Sequence, residues 1–208
     1  MISAYKIETN LSELKNAYSP FIDQLDQTIL RGIISPDDHA PIIRNNLDGA
    51  ELALSRWGMP SPNRDVKIEG DIGVTQIQKM ETEYWHQWAS VDHRCLIPAN
   101  AFQESKKLLK PATEHQSKQW FSLDRTQPVF FFAGIWTEWV GTRKASEGQK
   151  NHTVFAILVT EREEEPNKSK VTPVILTEPD AWDIWMTEEW KIAKLLIQPL
   201  RSGKIIII

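Results

Sequence analysis

The chain is nearly devoid of cysteine. Cys95 is the only one in 208 residues, so no internal disulfide can form and no paired-cysteine zinc motif exists. The histidines His39, His86, His93, His115 and His152 are scattered without metal-ligand spacing. Neither a metal nor another cofactor is therefore expected. Long hydrophobic runs are missing too. The longest, residues 129–136, falls far short of the roughly 20 residues that span a bilayer as a helix. The opening residues, Met1 to Lys6, lack the apolar core of a secretory signal. A cytoplasmic protein with no membrane association is the expectation. No internal repeat, low-complexity tract or dividing linker appears, so residues 1–208 are read as one domain. Excess positive charge is absent as well. A net charge of −4 argues against a surface that grips phosphates everywhere, but leaves room for a local basic groove.

What the chain does have is tryptophan, nine of them. Large aromatic side chains bury much area, so a Trp-rich core is the plain reading; a groove on which bases stack is the other. Lysine and arginine gather at Lys106, Lys107 and Lys110, at Arg143 and Lys144, and at Lys168 and Lys170. Such runs form solvated faces or local anion sites.

The periodicities predict short strands over residues 3–7, 51–57, 72–77, 95–97, 101–104, 119–123, 129–136 and 154–159. Pro98 is expected to separate two of them. Asn10 and Glu13 have the spacing of a capping box, which predicts a helix to about Tyr18, stopped by Pro20. Residues 20–50 read as irregular wrapping, and 58–64 as a Pro-rich loop. Residues 81–89 place three aromatics on one helical face. Helices are predicted over 178–185 and 188–196, with Thr177 and Thr187 as N-caps. Residues 205–208 could close a sheet edge. Many strands and few helices, without strict βαβ alternation, predict an α+β domain: a mainly antiparallel, barrel-like sheet core with a few flanking helices.

Five segments then carry a resemblance. They are Ala40-Pro41-Ile42-Ile43-Arg44, Arg56-Trp57-Gly58-Met59-Pro60, Arg94-Cys95-Leu96-Ile97-Pro98 with Phe102 and Glu104, Phe132-Ala133-Gly134-Ile135-Trp136, and Pro173-Val174-Ile175-Leu176 with Trp182 and Trp185. In this order and spacing the chain resembles the SRAP family, the SOS-response-associated peptidase domain. The resemblance covers about residues 34–200. It implies a protein that meets abasic sites in single-stranded DNA. A cysteine that follows the start methionine becomes the N-terminus there. Its amine forms an imine with the ring-opened sugar aldehyde, and its thiol closes a stable thiazolidine. A Glu and a His handle protons, and an Asn and an Arg position the backbone.

Carried over position by position, the family cysteine falls on Ile2, which has no thiol and whose bulk disfavours removal of Met1. The family Glu falls on Glu104. The His position falls on Lys168 or Ser169. The Asn-x-Arg pair falls on Gln76 and Gln78, so one cationic phosphate contact is lost. Pro41 and Trp57 fit the groove that supports DNA. The resemblance thus implies a divergent member that binds single-stranded or abasic-site DNA in an SOS context, with cross-linking and self-processing peptidase activity lost. Two alternatives stand beside it. One is an imine-forming abasic-site enzyme that uses the Met1 amine or Lys168. The other is an interaction protein of phage or mobile-element origin with no DNA role. The individual residues also have plainer roles open to them: Glu104 as a buried acid with a structural partner, Cys95 as a small core residue, Gln76 and Gln78 as polar strand positions, and Lys168 as a solvated lysine.

Overall fold

Phe130, Phe131 and Phe132 lie at the start of the longest apolar run, and that run forms the middle of the molecule. A computed structural model describes residues 2–25, 29–62, 70–105, 118–162, 171–200 and 203–208. The strands are β1 (Ile2–Asn10), β2 (Ile22–Asp23), β3 (Ile29–Ile34), β4 (His39–Asn46), β5 (Gly49–Trp57), β6 (Gln76–Ile77), β7 (Arg94–Ala99), β8 (Ala101–Ser105), β9 (Lys118–Ser122), β10 (Phe130–Gly141), β11 (Lys150–Glu161), β12 (Val171–Pro173), β13 (Ile175–Leu176) and β14 (Ile206–Ile207). The helices are α1 (Leu11–Ala17), α2 (Glu83–His86), α3 (Pro179–Thr187) and α4 (Trp190–Ala193).

The strands form two sheets. One has five strands in the order β14-β9-β8-β1-β3, antiparallel throughout. The other follows β12-β11-β10-β7-β4-β5-β2. Within it, β11 also pairs in parallel with β5, Val154 opposite Arg56 and Phe155 opposite Trp57. That pairing closes β5, β4, β7, β10 and β11 into a barrel, which leaves no free edge on these strands where they meet. The α+β, barrel-like architecture expected from the sequence is present.

Closure explains why the Phe-Ala-Gly-Ile-Trp run needs its glycine. A Cβ on Gly134 would lie 2.4 Å from Ile97 Cδ1, 2.8 Å from the Ala156 carbonyl oxygen and 3.0 Å from Cys95 Sγ. Only a residue without a side chain fits between β7 and β11 at that point. The core between the two sheets is aromatic. Tyr5 of β1 packs edge-on against Trp57 and Phe132, with ring centroids at 5.2 and 5.8 Å. Phe102 of β8 stacks on Phe121 and meets Phe132 edge-on. Fully burying a side chain of this size contributes about 1.5–3 kcal/mol, so these rings hold the five-stranded sheet against the barrel. Helix α3 docks through Trp182 and Trp185, whose indole N–H groups donate to the carbonyls of Leu176 and Cys95 at 2.9 and 3.0 Å.

The capping box forms as expected. The Asn10 side chain accepts from the Glu13 N–H at 2.9 Å, and Glu13 Oε2 accepts from the Asn10 N–H at 3.3 Å. Several local expectations are corrected. Residues 29–34 and 39–46 form strands β3 and β4, because Ile34, Ala40, Ile42 and Ile43 have barrel or sheet neighbours to bury against. Pro98 does not end β7. It lies opposite Phe131 within the ladder, and the chain turns at Asn100 instead. Only Glu83–His86 is helical in the 81–89 stretch. The N-cap positions of α3 and α4 are Glu178 and Glu189, and neither makes a side-chain cap bond. Thr187 is the last residue of α3, where its hydroxyl donates to the Asp183 carbonyl.

Candidate functional site

Residue 2 is the position on which the resemblance places the family cysteine. It sits at the start of β1, directly opposite Glu104 of β8. Residues paired across an antiparallel ladder share one face, so the side chains of Ile2 and Glu104 share a neighbourhood. The register shifts by one residue between Ile2 and Ala4, an irregularity that sets the start of β1 apart from the rest of its ladder. Ile2 is 3% exposed and Glu104 4%.

Gln76 reaches this point from the barrel. It lies on β6, which runs parallel to β11 with Gln76 opposite Ile157. Its side-chain amide holds residue 2 at both backbone groups. The Ile2 N–H donates to Gln76 Oε1 at 2.9 Å, and Gln76 Nε2 donates to the Ile2 carbonyl at 3.0 Å. Two neutral hydrogen bonds are worth about 1 kcal/mol each, enough to fix where residue 2 lies. The sequence offered Gln76 as a DNA contact or a polar strand position; in the structure it is a clasp on the N-terminal strand.

The carboxylate of Glu104 is not alone. Arg162, just past the end of β11, pairs with it: Nη2 donates to Oε1 at 2.8 Å and Nη1 to Oε2 at 3.4 Å. Both side chains are largely buried. Removing one partner of a pair this deep costs about 3–5 kcal/mol, because the other charge is left uncompensated. Arg162 is the residue that sequence reasoning missed. Its only signal was that it is the lone cation in the acidic run Glu161 to Glu165. Alongside, Gln78 is exposed and donates to Glu161 Oε1 at 3.2 Å, and the Ser3 hydroxyl donates to Gln103 Oε1 at 2.9 Å.

The remaining candidates are distributed as follows. Trp57, expected in the groove that supports DNA, is fully buried. Its ring packs on Tyr5 and Phe155. Its indole N–H donates to the Thr75 carbonyl at 2.9 Å, so it fixes the segment that carries Gln76. Pro41 is buried in β4 opposite Leu54 of β5. Lys168 and Ser169, like Met1 and the lysines at 106, 107, 110 and 170, lie outside the described residues. Cys95 is fully buried, and burial pushes its thiol well above its ordinary value despite nearby Arg44. It stands in for no missing nucleophile.

The Arg143–Lys144 pair divides. Arg143 is buried under Trp139, 4.8 Å from the ring centroid, and donates to the carbonyls of Asp71 and Gly58. Burial lowers its pKa, with Asp71 opposing. Gly73, at φ 78°, is required beneath it, since a Cβ there would lie 2.2 Å from Arg143 Nη1. Lys144 is exposed and pairs with Asp37 at 2.9 Å. Asp37 also takes Arg56, which reaches Glu147 as well. These cations hold loops together; they are not an open phosphate surface.

Comparison with known proteins follows the same geometry. The model of the family described as SOS response associated peptidase (SRAP) matches residues 1–207. Solved structures are similar over nearly the whole chain. One from Bordetella bronchiseptica has a TM-score of 0.72 at 17% identity and covers 99% of this chain and 97% of its own. A phage-related protein from Bordetella bronchiseptica has a TM-score of 0.74 at 16% identity, covering 99% and 92%. A protein from Bacteroides thetaiotaomicron has a TM-score of 0.68 at 17% identity, covering 98% and 90%. At these identities the likeness shows the fold. No curated protein matches the chain. No helix among the described residues is long and apolar enough to cross a membrane.

Proposed function

This chain belongs to the SRAP family, and on that premise we propose that it binds single-stranded DNA, abasic-site DNA included, reversibly and without a thiazolidine cross-link. The observation that carries the reading is the side chain opposite Glu104: an isoleucine, buried and held at its backbone by Gln76. Thiazolidine formation needs an amine and a thiolate on one residue. A hydrocarbon at that place supplies no sulfur, and Cys95 is sealed in the core. The self-processing peptidase step would have to free residue 2, and it serves no purpose when residue 2 carries no nucleophile. An SOS-linked, cytoplasmic setting is part of the same reading.

Binding without the cross-link rests on what surrounds residue 2. The Glu104–Arg162 pair and the Gln76 amide supply acidic, cationic and neutral polar groups within one small region. Anisotropy with a labelled single strand, with and without an abasic site, tests this. Affinity should be measurable at low ionic strength and fall steeply as salt rises, the mark of phosphate contacts. A heat-resistant conjugate on a denaturing gel, formed without reductant, would overturn the proposal. So would the absence of any binding at low salt.

A further inference from the structure

Resting on the reading just given, we propose that Arg162 is the phosphodiester-binding cation of this site, and that Glu104 holds its guanidinium until a DNA phosphate takes it over. Among the described residues that meet around residue 2, Ser3, Gln76, Gln78 and Gln103 are neutral, and Glu104 and Glu161 are acidic. Arg162 is the cation that the described ion pairs place on Glu104. A strand of DNA that lies here needs positive charge to hold it, and the fold brings that charge from the residue after β11, a strand that none of the motif segments includes.

The form of the pair suits an exchange. An arginine fork recognises carboxylate and phosphate by the same two-point geometry. A phosphodiester can therefore replace Glu104 as the acceptor without leaving the guanidinium unpaired. The two arms of the present pair are unequal, 2.8 and 3.4 Å; the longer exceeds the 2.7–2.9 Å of a strong charge-assisted bond. A guanidinium has five N–H donors, more than one carboxylate can take. A phosphate that arrives beside Glu104 is repelled by that carboxylate and attracted by Arg162, so binding and pair-breaking are coupled.

A merely structural tie between β8 and the end of β11 would look similar in a static picture, so the test separates the two. Either single variant leaves one charge of the buried pair uncompensated, so circular dichroism first establishes that each chain is folded. The informative comparison is Glu104→Gln against the double variant Glu104→Gln/Arg162→Gln, in which two amides replace the two charges and can still bond. If Glu104→Gln is not folded, the parent chain against the double variant carries the same slope test. The probe is a labelled single-stranded oligonucleotide, titrated across a range of salt. Glu104→Gln should bind several-fold more tightly than the parent chain at low salt. The double variant should bind about tenfold more weakly than Glu104→Gln, with a log–log salt slope shallower by about 0.7, the share of one phosphate contact on a single strand. Matching affinity and slope in these two variants would overturn the inference, while binding by the parent chain would leave the DNA reading standing. No binding by any of the chains, the parent included, removes that reading and this inference with it.

Discussion

Ile2→Cys asks whether the proposed absence of cross-linking rests on one side chain. The substitution replaces four side-chain carbons with one carbon and a sulfur in a position only 3% exposed. About two methylene equivalents leave the core, roughly 0.8 kcal/mol each, before any residual cavity. A loss of about 2 kcal/mol follows, which lowers the melting temperature of a chain this size by about 4–8 °C. The variant should still fold, because the Gln76 clasp holds the backbone of residue 2 and does not involve its side chain. The smaller residue also favours removal of Met1, so the nitrogen now bonded to Gln76 becomes an α-amine with an ordinary pKa of about 7.7–8.0. Mass spectrometry establishes the processed terminus. Incubation with an abasic oligonucleotide, boiling and a denaturing gel then report the conjugate. It should form. It should form slowly, by about 10²–10⁴ relative to a relative that keeps the family histidine, since that is what a positioned acid–base group contributes. A processed, folded Ile2→Cys chain that yields no conjugate would refute the idea that the scaffold around residue 2 remains competent.

Gly134→Ala should be among the most damaging single-methyl changes in the protein. The added Cβ meets the flexible tip of Ile97 but also the backbone oxygen of Ala156, so strand spacing in the closed barrel has to yield. A loss of about 3 kcal/mol, at the upper end of ordinary overpacking, should appear in urea unfolding; an unchanged midpoint would refute the packing argument. His152 makes stability depend on pH. Burial, and then Arg56 and Arg143, hold its pKa below the usual histidine value. The unfolded chain therefore takes up a proton at about pH 6.5 that the folded chain declines. Stability should be level above that value and fall as pH drops through it. Lower still, near the ordinary carboxylate values, protonation of Glu147 and Asp37 adds a further loss, because the Arg56 contacts that lower the first, and outweigh burial at the second, disappear. His152→Gln should remove the upper part of that decline, and an unaltered slope between about pH 7 and pH 5 would refute the assignment.

How much of this was legible in the sequence differs between fold and site, for a physical reason. Packing motifs are local and repetitive. The Phe-Ala-Gly-Ile-Trp run and the Asn10–Glu13 capping box each state a constraint that neighbouring residues must meet, and the structure meets both. The residues around position 2 come from four places far apart in the chain: 2, 76, 104 and 162. The hydrogen bond from Ile2 to Gln76 spans 74 positions and the pair from Arg162 to Glu104 spans 58. No window of periodicity reports such contacts. Glu104 was legible because it sits beside a motif; Arg162 was not, because it sits at the edge of an acidic run. Pro41 and Trp57 show what a recognisable segment leaves open. Both lie in recognisable segments, but a segment can recur because it builds the barrel, and these two side chains face inward.

That division has a consequence for how a domain of this kind can change. A reactive residue needs access to its substrate, which denies it full burial and the stability that burial brings. Once no thiol is required at residue 2, the same backbone, still clasped by Gln76, can carry a larger apolar side chain and gain the area that a reactive cysteine must leave open. On the proposed reading, Ile2 at 3% exposure is that state. The Glu104–Arg162 pair fits the same logic, since a buried carboxylate without a substrate to serve is costly unless a cation neutralises it. On the proposed reading, the hydrocarbon at residue 2 and the arginine on Glu104 are linked through burial, although the two positions lie 160 apart in the chain. The link has a measurable edge. If Ile2→Cys destabilises the chain by no more than an exposed substitution would, a few tenths of a kcal/mol, then burial at residue 2 contributes nothing and the coupling between filling the site and disarming it does not hold.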